Sequence, residues 1–187
     1  PELTTAQLLD SAAVWLTKGY DVGKANGTAD GIALSNAALV GRARAKLQKG
    51  DNAGAAADAA LVPAGFEYNM RYTDDANSRT RLSNRLYQFS FDRGAISVAP
   101  WYRQTDPRVP FRAPGSTTAN PQDQVPGGFF QQAKFTGYAS SIRLASKLEA
   151  DYIAAEASGS ATTQLALISA RRTANNQAAY AGATDAA

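Results

Sequence analysis

The stretch LVGRARAKLQKGDNAGAAADAALVPAG, residues 39–65, holds two helical patterns set back to back. In the first, Leu39, Val40, Ala43 and Leu47 recur at the spacing of one helical face. Arg42, Arg44, Lys46 and Lys49 lie mostly off that face and towards the C-terminal end, where the helix dipole favours cations. Ser35 or Asn36 can cap the start of this helix. Gly50 can take the left-handed conformation that ends a helix, and Asp51 or Asn52 can cap the next one. The second pattern presents Ala55, Ala56, Ala59, Ala60 and Val62, and Pro63 closes it. So short an Ala-rich helix is marginal alone in water. The two-residue turn makes the preceding helix its natural partner, and the pair reads as an αα-hairpin with small residues at the seam. A Gly-Asp turn is what tight helix reversal requires, so the hairpin reads as frame. Its four cations read as a solvated face, with docking on an acidic partner as the other use.

The rest of the chain fits that beginning. At 187 residues it can bury one sizeable core. Ala is abundant and large aliphatics are modest, which favours closely packed helices over a β-sandwich. There is no Cys and no His. That excludes disulfides, thiolate metal sites, iron–sulfur clusters, Cys nucleophiles and the usual His-based triads and zinc or haem ligation. No cofactor is expected. The net charge of +3 is too small to imply nucleic acid, and no apolar run reaches the ~20 residues of a membrane span. The chain opens at Pro1 rather than Met, as a processed, exported protein or a trimmed one would.

Upstream, TTAQLLDSAAVWLTKGY places Leu8, Leu9, Ala12, Trp15 and Leu16 on one helical face, with Thr4 or Thr5 as cap and Gly19 as stop. The following DVGKANGTADG reads as a loop, and its Asn26-Gly27-Thr28 matches a glycosylation sequon. Downstream, SSIRLASKLEADYIAAEASG reads as a helix with a stripe of Ile142, Ala145, Leu148, Tyr152 and Ala155, ended by Gly159. Ser160 then caps a helix carrying Leu165, Ile168 and Arg172 along one side. This second αα-hairpin suggests diverged repeats of the tetratricopeptide kind, although the strict consensus is not met.

Between the hairpins the character changes. Residues 66–141 carry thirteen of the seventeen aromatics, including all seven Phe, and eight Arg and one Lys against six acids. FEYNMRY and RLYQFSF alternate apolar and polar residues and read as short strands. From Ala95 to Phe130 the chain reads as one long loop, with turns at Asp106-Pro107 and at Pro126-Gly127-Gly128. A loop of that length is uncommon unless it is functional or covers a surface.

Three segments resemble the SusD/RagB family of outer-membrane nutrient-binding lipoproteins. ALVGRARAKLQKGDNAGAAADAALV, residues 38–62, is similar to the family's helix, Gly-Asp turn, helix repeat. Asp106-Pro107-Arg108 within YRQTDPRVPF resembles a recurrent family triplet in a long loop. IRLASKLEADYIAAEASG, residues 142–159, resembles a C-terminal family helix ending Ala-Glu-Ala and Gly, and LALISARRTANNQ fits the helix after it. Together they touch about half of the chain. Family members are usually several hundred residues long and begin at a lipidated Cys, so this chain resembles a middle section or a shortened relative. The resemblance implies an extracytoplasmic, helical, non-enzymatic protein that binds a glycan and sits on a transport barrel.

The candidate contact residues are Trp101, Tyr102, Arg103, Arg108, Phe111, Arg112, Phe129 and Phe130, which sit among turns where rings are less automatically core. They could form a small core under the loop, a protein interface or a sugar-stacking platform. Asp106 could hold Arg108 or the loop backbone through an Asx-type turn. Glu149 and Glu156, seven apart on one helix, could reach the carboxylate spacing of a glycosidase, but nothing else marks such a site. Arg among aromatics can bind single-stranded nucleic acid, yet no recognition motif accompanies it, and no nucleic-acid partner is expected.

The sequence therefore predicts a mainly α, single-domain fold: N-terminal helices over 1–65, an aromatic and Pro-rich loop lobe over 66–141 with a possible short β-hairpin, and a C-terminal helical hairpin over 142–187. The expected role is a non-enzymatic, periplasmic or outer-membrane-associated scaffold subunit. Its lobe would contact a membrane-bound complex or transport barrel. The alternative is a SusD-like glycan-binding component of nutrient uptake, with an oligosaccharide as ligand.

Overall fold

The computed structural model describes residues 2–104, 106–114 and 128–182. The fold is mainly α: seven α-helices and two small two-stranded sheets among the described residues. Contacts group the chain into two compact units, residues 1–69 with 143–187, and residues 70–142.

The first unit is built on α1 (Thr5–Asn26), α2 (Ala29–Gln48), α3 (Asn52–Ala60), α6 (Lys147–Ala157) and α7 (Ala161–Thr173). Strands β1 (Glu67–Met70) and β4 (Ile142–Ser146) pair beside them. Thr4 caps α1 with a full capping box to Gln7. Gly19 does not stop this helix. It runs on through Gly23 to Asn26, and the region predicted as a loop shrinks to Gly27-Thr28, with Gly27 at φ 68° and Thr28 capping α2. The reason is tertiary. A Cβ at Gly23 would stand 2.5 Å from the Gly31 carbonyl oxygen, so the two glycines let α1 and α2 approach closely. Ser35, expected as a cap, lies inside α2 and is buried, donating its hydroxyl to the Tyr20 carbonyl at 2.9 Å.

The hairpin of α2 and α3 forms as expected. Gly50 has φ 81°, and the Asp51 carboxylate accepts the Gly54 N–H at 2.9 Å. Leu39, Val40, Ala43, Ala55, Ala59 and Val62 enter one core cluster with Ala145, Ala150 and Ile153 of the C-terminal segment. Burial of each large aliphatic there is worth about 1.5–3 kcal/mol, and the alanines let the helices approach.

The C-terminal helix starts later than expected. Residues 142–146 are strand, and Ser146 caps α6 by accepting the Glu149 N–H at 3.2 Å. Its core face is Ala150, Ile153 and Ala155, while Tyr152, expected in the buried stripe, is exposed. Ser160 caps α7 as expected, and Leu165 and Ile168 are half-buried. On α1, Leu9, Ala12 and Leu16 are half-buried, but Leu8 and Trp15 stay exposed. With α2 as its main neighbour, α1 buries only one stripe, which also contains Tyr20 and Gly23.

The expected solvated face of α2 is mostly tied down. Arg42 and Lys46 pair with Asp58, Arg44 with Glu149, and Lys49 with Asp10. Glu149 is thereby held as an ion-pair partner of another helix.

Candidate functional site

The second unit, residues 70–142, carries the candidate residues. RLYQFSF, predicted as a strand, is helix α5 (Arg85–Phe91), preceded by the short α4 (Arg79–Leu82). Asn84 explains the helix. Its side-chain oxygen accepts the Tyr87 N–H at 3.1 Å, and its amide donates to the Ser140 carbonyl at 2.7 Å. The buried residues of α5 are polar, Gln88 and Ser90. Ser90 serves the next layer: its carbonyl accepts Gln131 Nε2 at 3.3 Å and its hydroxyl accepts the Gln132 N–H at 3.3 Å. These partners lie on β3 (Gln131–Gln132), which pairs antiparallel with β2 (Phe111–Arg112), Phe111 opposite Gln132. The expected β-hairpin thus exists, made from segments other than those predicted.

Within the loop predicted over 95–130, hydrogen bonds hold the described residues 97, 98 and 130 together. The Val98 N–H donates to the Phe130 carbonyl at 2.8 Å, and the Phe130 N–H to Ser97 Oγ at 3.0 Å. Residues Pro100–Tyr102 form a 3-10 turn. The turn expected at 126–128 lies outside the described residues, except for Gly128.

The eight candidates divide. Phe129 is 4% exposed, a buried ring rather than a solvent-facing one. Phe111 and Phe130 are half-buried and meet edge to face at 5.8 Å, and the Arg103 guanidinium lies 3.8 Å from the Phe130 ring centre. Arg103 also donates to the Val98 carbonyl at 2.7 Å, so it fastens the lobe internally. Arg108 grips Asp106, with Nη2 to Oδ2 at 2.7 Å and Nε to Oδ1 at 3.0 Å, and its N–H closes the Asx-type turn at 2.9 Å. Arg112 is exposed and reaches Gln131 at 3.5 Å. Only Trp101 and Tyr102 present large exposed rings, 68% and 56% exposed. Their ring centres are 6.1 Å apart and tilted by 54°.

Tyr102 lines a groove of about 490 Å³ whose walls include Leu86, Ile96, Val98, Val109, Pro110 and Phe135. Leu86 and Ile96 are themselves exposed. Arg108, Gln132 and Lys134 supply its polar side chains. Sequence reasoning missed this groove. The alternating Ile96-Ser97-Val98 was the available signal, since it puts two apolar side chains on one face of an extended segment.

A second polar cluster lies in the same unit. The Tyr138 hydroxyl donates to Asp92, and its ring packs edge to face on Tyr87 at 4.9 Å and under Arg79 at 4.2 Å. Burial first, and then the bond to Asp92, push the Tyr138 phenol up to about 12. Burial also raises Tyr87, with the Asp92 charge adding to it.

No family model, curated protein or solved structure matches the chain.

In the first unit a larger apolar groove, about 640 Å³, runs beside Leu16, Val22, Leu34, Tyr68 and Leu144. Among the described residues no group of Asp and Glu is placed to hold a metal ion, and no helix is long and apolar enough to cross a membrane. The described part of residues 70–142 presents two solvent-facing rings, an apolar trough and cations at its edge.

Proposed function

We propose that this chain is a non-enzymatic binding and scaffold subunit of an extracytoplasmic, membrane-associated assembly, built on a SusD-like helical frame. It contacts a protein partner through residues 70–142. The compartment and the family rest on the three resembling segments, residues 38–62, the Asp106-Pro107-Arg108 loop and residues 142–159.

The observation that carries the contact mode is the pair Trp101 and Tyr102, both solvent-facing, with Tyr102 on the wall of an apolar groove. Large exposed rings beside an apolar trough are the anatomy of an interface hot spot, where one truncation costs about 2 kcal/mol or more of binding. A bound glycan is the weaker reading. Sugar hydroxyls need partners when buried, and this groove is walled mainly by aliphatic and aromatic carbon. The two rings are also tilted by 54° rather than laid as one platform.

Replacing Trp101 with the photoreactive residue benzoylphenylalanine, in cells that make the protein, tests this. The expected result is cross-linking to one membrane-associated protein, absent when Tyr102 is also changed to Ala. Cross-linking to no protein, with retention of oligosaccharide on a glycan array, would replace this reading with the sugar-binding one.

A further inference from the structure

Residues 70–142 carry nine Arg and Lys against five Asp, a net +4. Among the described residues, only Arg79 and Arg108 of these nine cations pair with a carboxylate, Asp74 and Asp106 respectively. The other cations satisfy themselves on neutral groups or stand in solvent. Arg85 donates to Gln88 and to the Thr80 carbonyl, Arg103 to the Val98 carbonyl, and Arg112 to Gln131. Lys134 is exposed, lines the groove and has Nζ 5.8 Å from the Phe135 ring centre. Arg85 and Arg103 are chain neighbours of the groove residues Leu86 and Tyr102.

Given the protein-docking reading above, on which this rests, we infer that the groove takes an acidic protein segment: an apolar or aromatic anchor side chain flanked by Asp or Glu. The anchor enters between Ile96, Val98, Pro110 and Phe135, and a flanking carboxylate meets Lys134. The argument is charge complementarity. A positive field that its own unit leaves uncompensated repels basic partners and accelerates association with acidic ones. An apolar trough supplies the short-range affinity that exposed ion pairs lack. Arg108 is already paired with Asp106, so its charge is not counted in that field.

The test is selection of short random peptides on the whole chain at low and high salt. Three variants are run in parallel: Lys134→Glu, Lys134→Arg and Tyr102→Ala. All three change exposed side chains, and thermal melting checks that each still folds. The expected result is enrichment of peptides with an apolar residue between acids. Binding should fall about tenfold in Lys134→Glu, survive in Lys134→Arg, fall in Tyr102→Ala and weaken at high salt. Enrichment of neutral apolar peptides that still need Tyr102 would overturn the acidic requirement while leaving protein docking in place. Enrichment of basic peptides, indifference to Lys134→Glu, or no enrichment at all would overturn the inference. Oligosaccharide binding in place of peptides would remove both readings together.

Discussion

Arg42 and Asp58 meet through two parallel hydrogen bonds, Nε to Oδ2 at 2.8 Å and Nη2 to Oδ1 at 2.7 Å, with the carboxylate side chain only 5% exposed. Lys46 reaches the same carboxylate at 2.8 Å, and Arg42 also donates to Thr17 Oγ1 at 3.0 Å. One acid on α3 thus ties α2 to itself, and through Arg42 to α1.

Removing that acid leaves two cations without their partner in a half-buried site. Asp58→Asn is expected to cost about 3–5 kcal/mol, by the precedent of broken buried pairs. Burial alone would raise the Asp58 pKa, but the hydrogen bonds from Arg42 and Lys46 outweigh it and hold the carboxyl below its ordinary 3.8. Folded protein therefore binds fewer protons than unfolded at this group, and stability falls as pH drops from the ordinary value through the lowered one. Urea unfolding of wild type and Asp58→Asn should converge as pH falls from about 5 to about 2. A constant difference would contradict the ion-pair account.

The two glycines of α1 make a paired prediction. Gly19→Ala puts a methyl 3.7 Å from the Ala38 Cβ, an ordinary contact, and removes a flexible residue from a helix interior. It is expected to stabilise by about 0.5–1 kcal/mol. Gly23→Ala forces the same methyl to 2.5 Å from the Gly31 carbonyl, on backbone that cannot rotate away. It is expected to destabilise by about 1–3 kcal/mol. Denaturant midpoints moving the same way in both variants would show that α1 and α2 do not approach as described.

These glycines also show where sequence reading ran out. Locally, Gly19 and the Gly27-Thr28 turn carry the same signal, and only the position of α2 tells an interior glycine from a terminal one. The Gly50-Asp51 turn was legible because its cause is local: a left-handed residue followed by a capping carboxylate. The start of α6 is also legible locally. Ser146-Lys147-Leu148-Glu149 has the Ser-x-x-Glu spacing of a helix cap. Helix α5 was not legible from apolar periodicity, because its buried residues are Gln88 and Ser90, and hydrogen bonding rather than hydrophobicity fixes its inward side. In the candidate site, turns located Trp101 and Tyr102 but could not separate them from Phe129, since ring type alone does not encode burial.

Tyr138 gives a spectroscopic prediction. Its phenol should titrate at about 12, well after ordinary tyrosines, in an ultraviolet pH titration. Tyr138→Phe should remove that late phase. Asp92→Asn should shift it back towards 10, because the hydrogen bond and the charge of Asp92 both hold the proton on. The raised value means that the folded chain keeps a proton the unfolded chain releases. Stability should therefore fall as pH rises from 10 towards about 12. An unchanged titration in Asp92→Asn would leave burial as the sole cause.

The aromatic residues of 70–142 separate stability from recognition. Trp101→Ala and Tyr102→Ala remove exposed rings, so melting should move by no more than the equivalent of about 0.5 kcal/mol. Partner binding should weaken by about 2 kcal/mol or more for at least one of them. Phe129→Ala removes a sealed ring and should cost about 3–5 kcal/mol of stability. Its effect on binding should then track the folded fraction. Thermal melts run beside titration of the cross-linked partner would check both halves. Were Phe129→Ala to bind poorly while melting like wild type, the ring would belong to the contact surface and the division drawn between Phe129 and the Trp101–Tyr102 pair would be wrong.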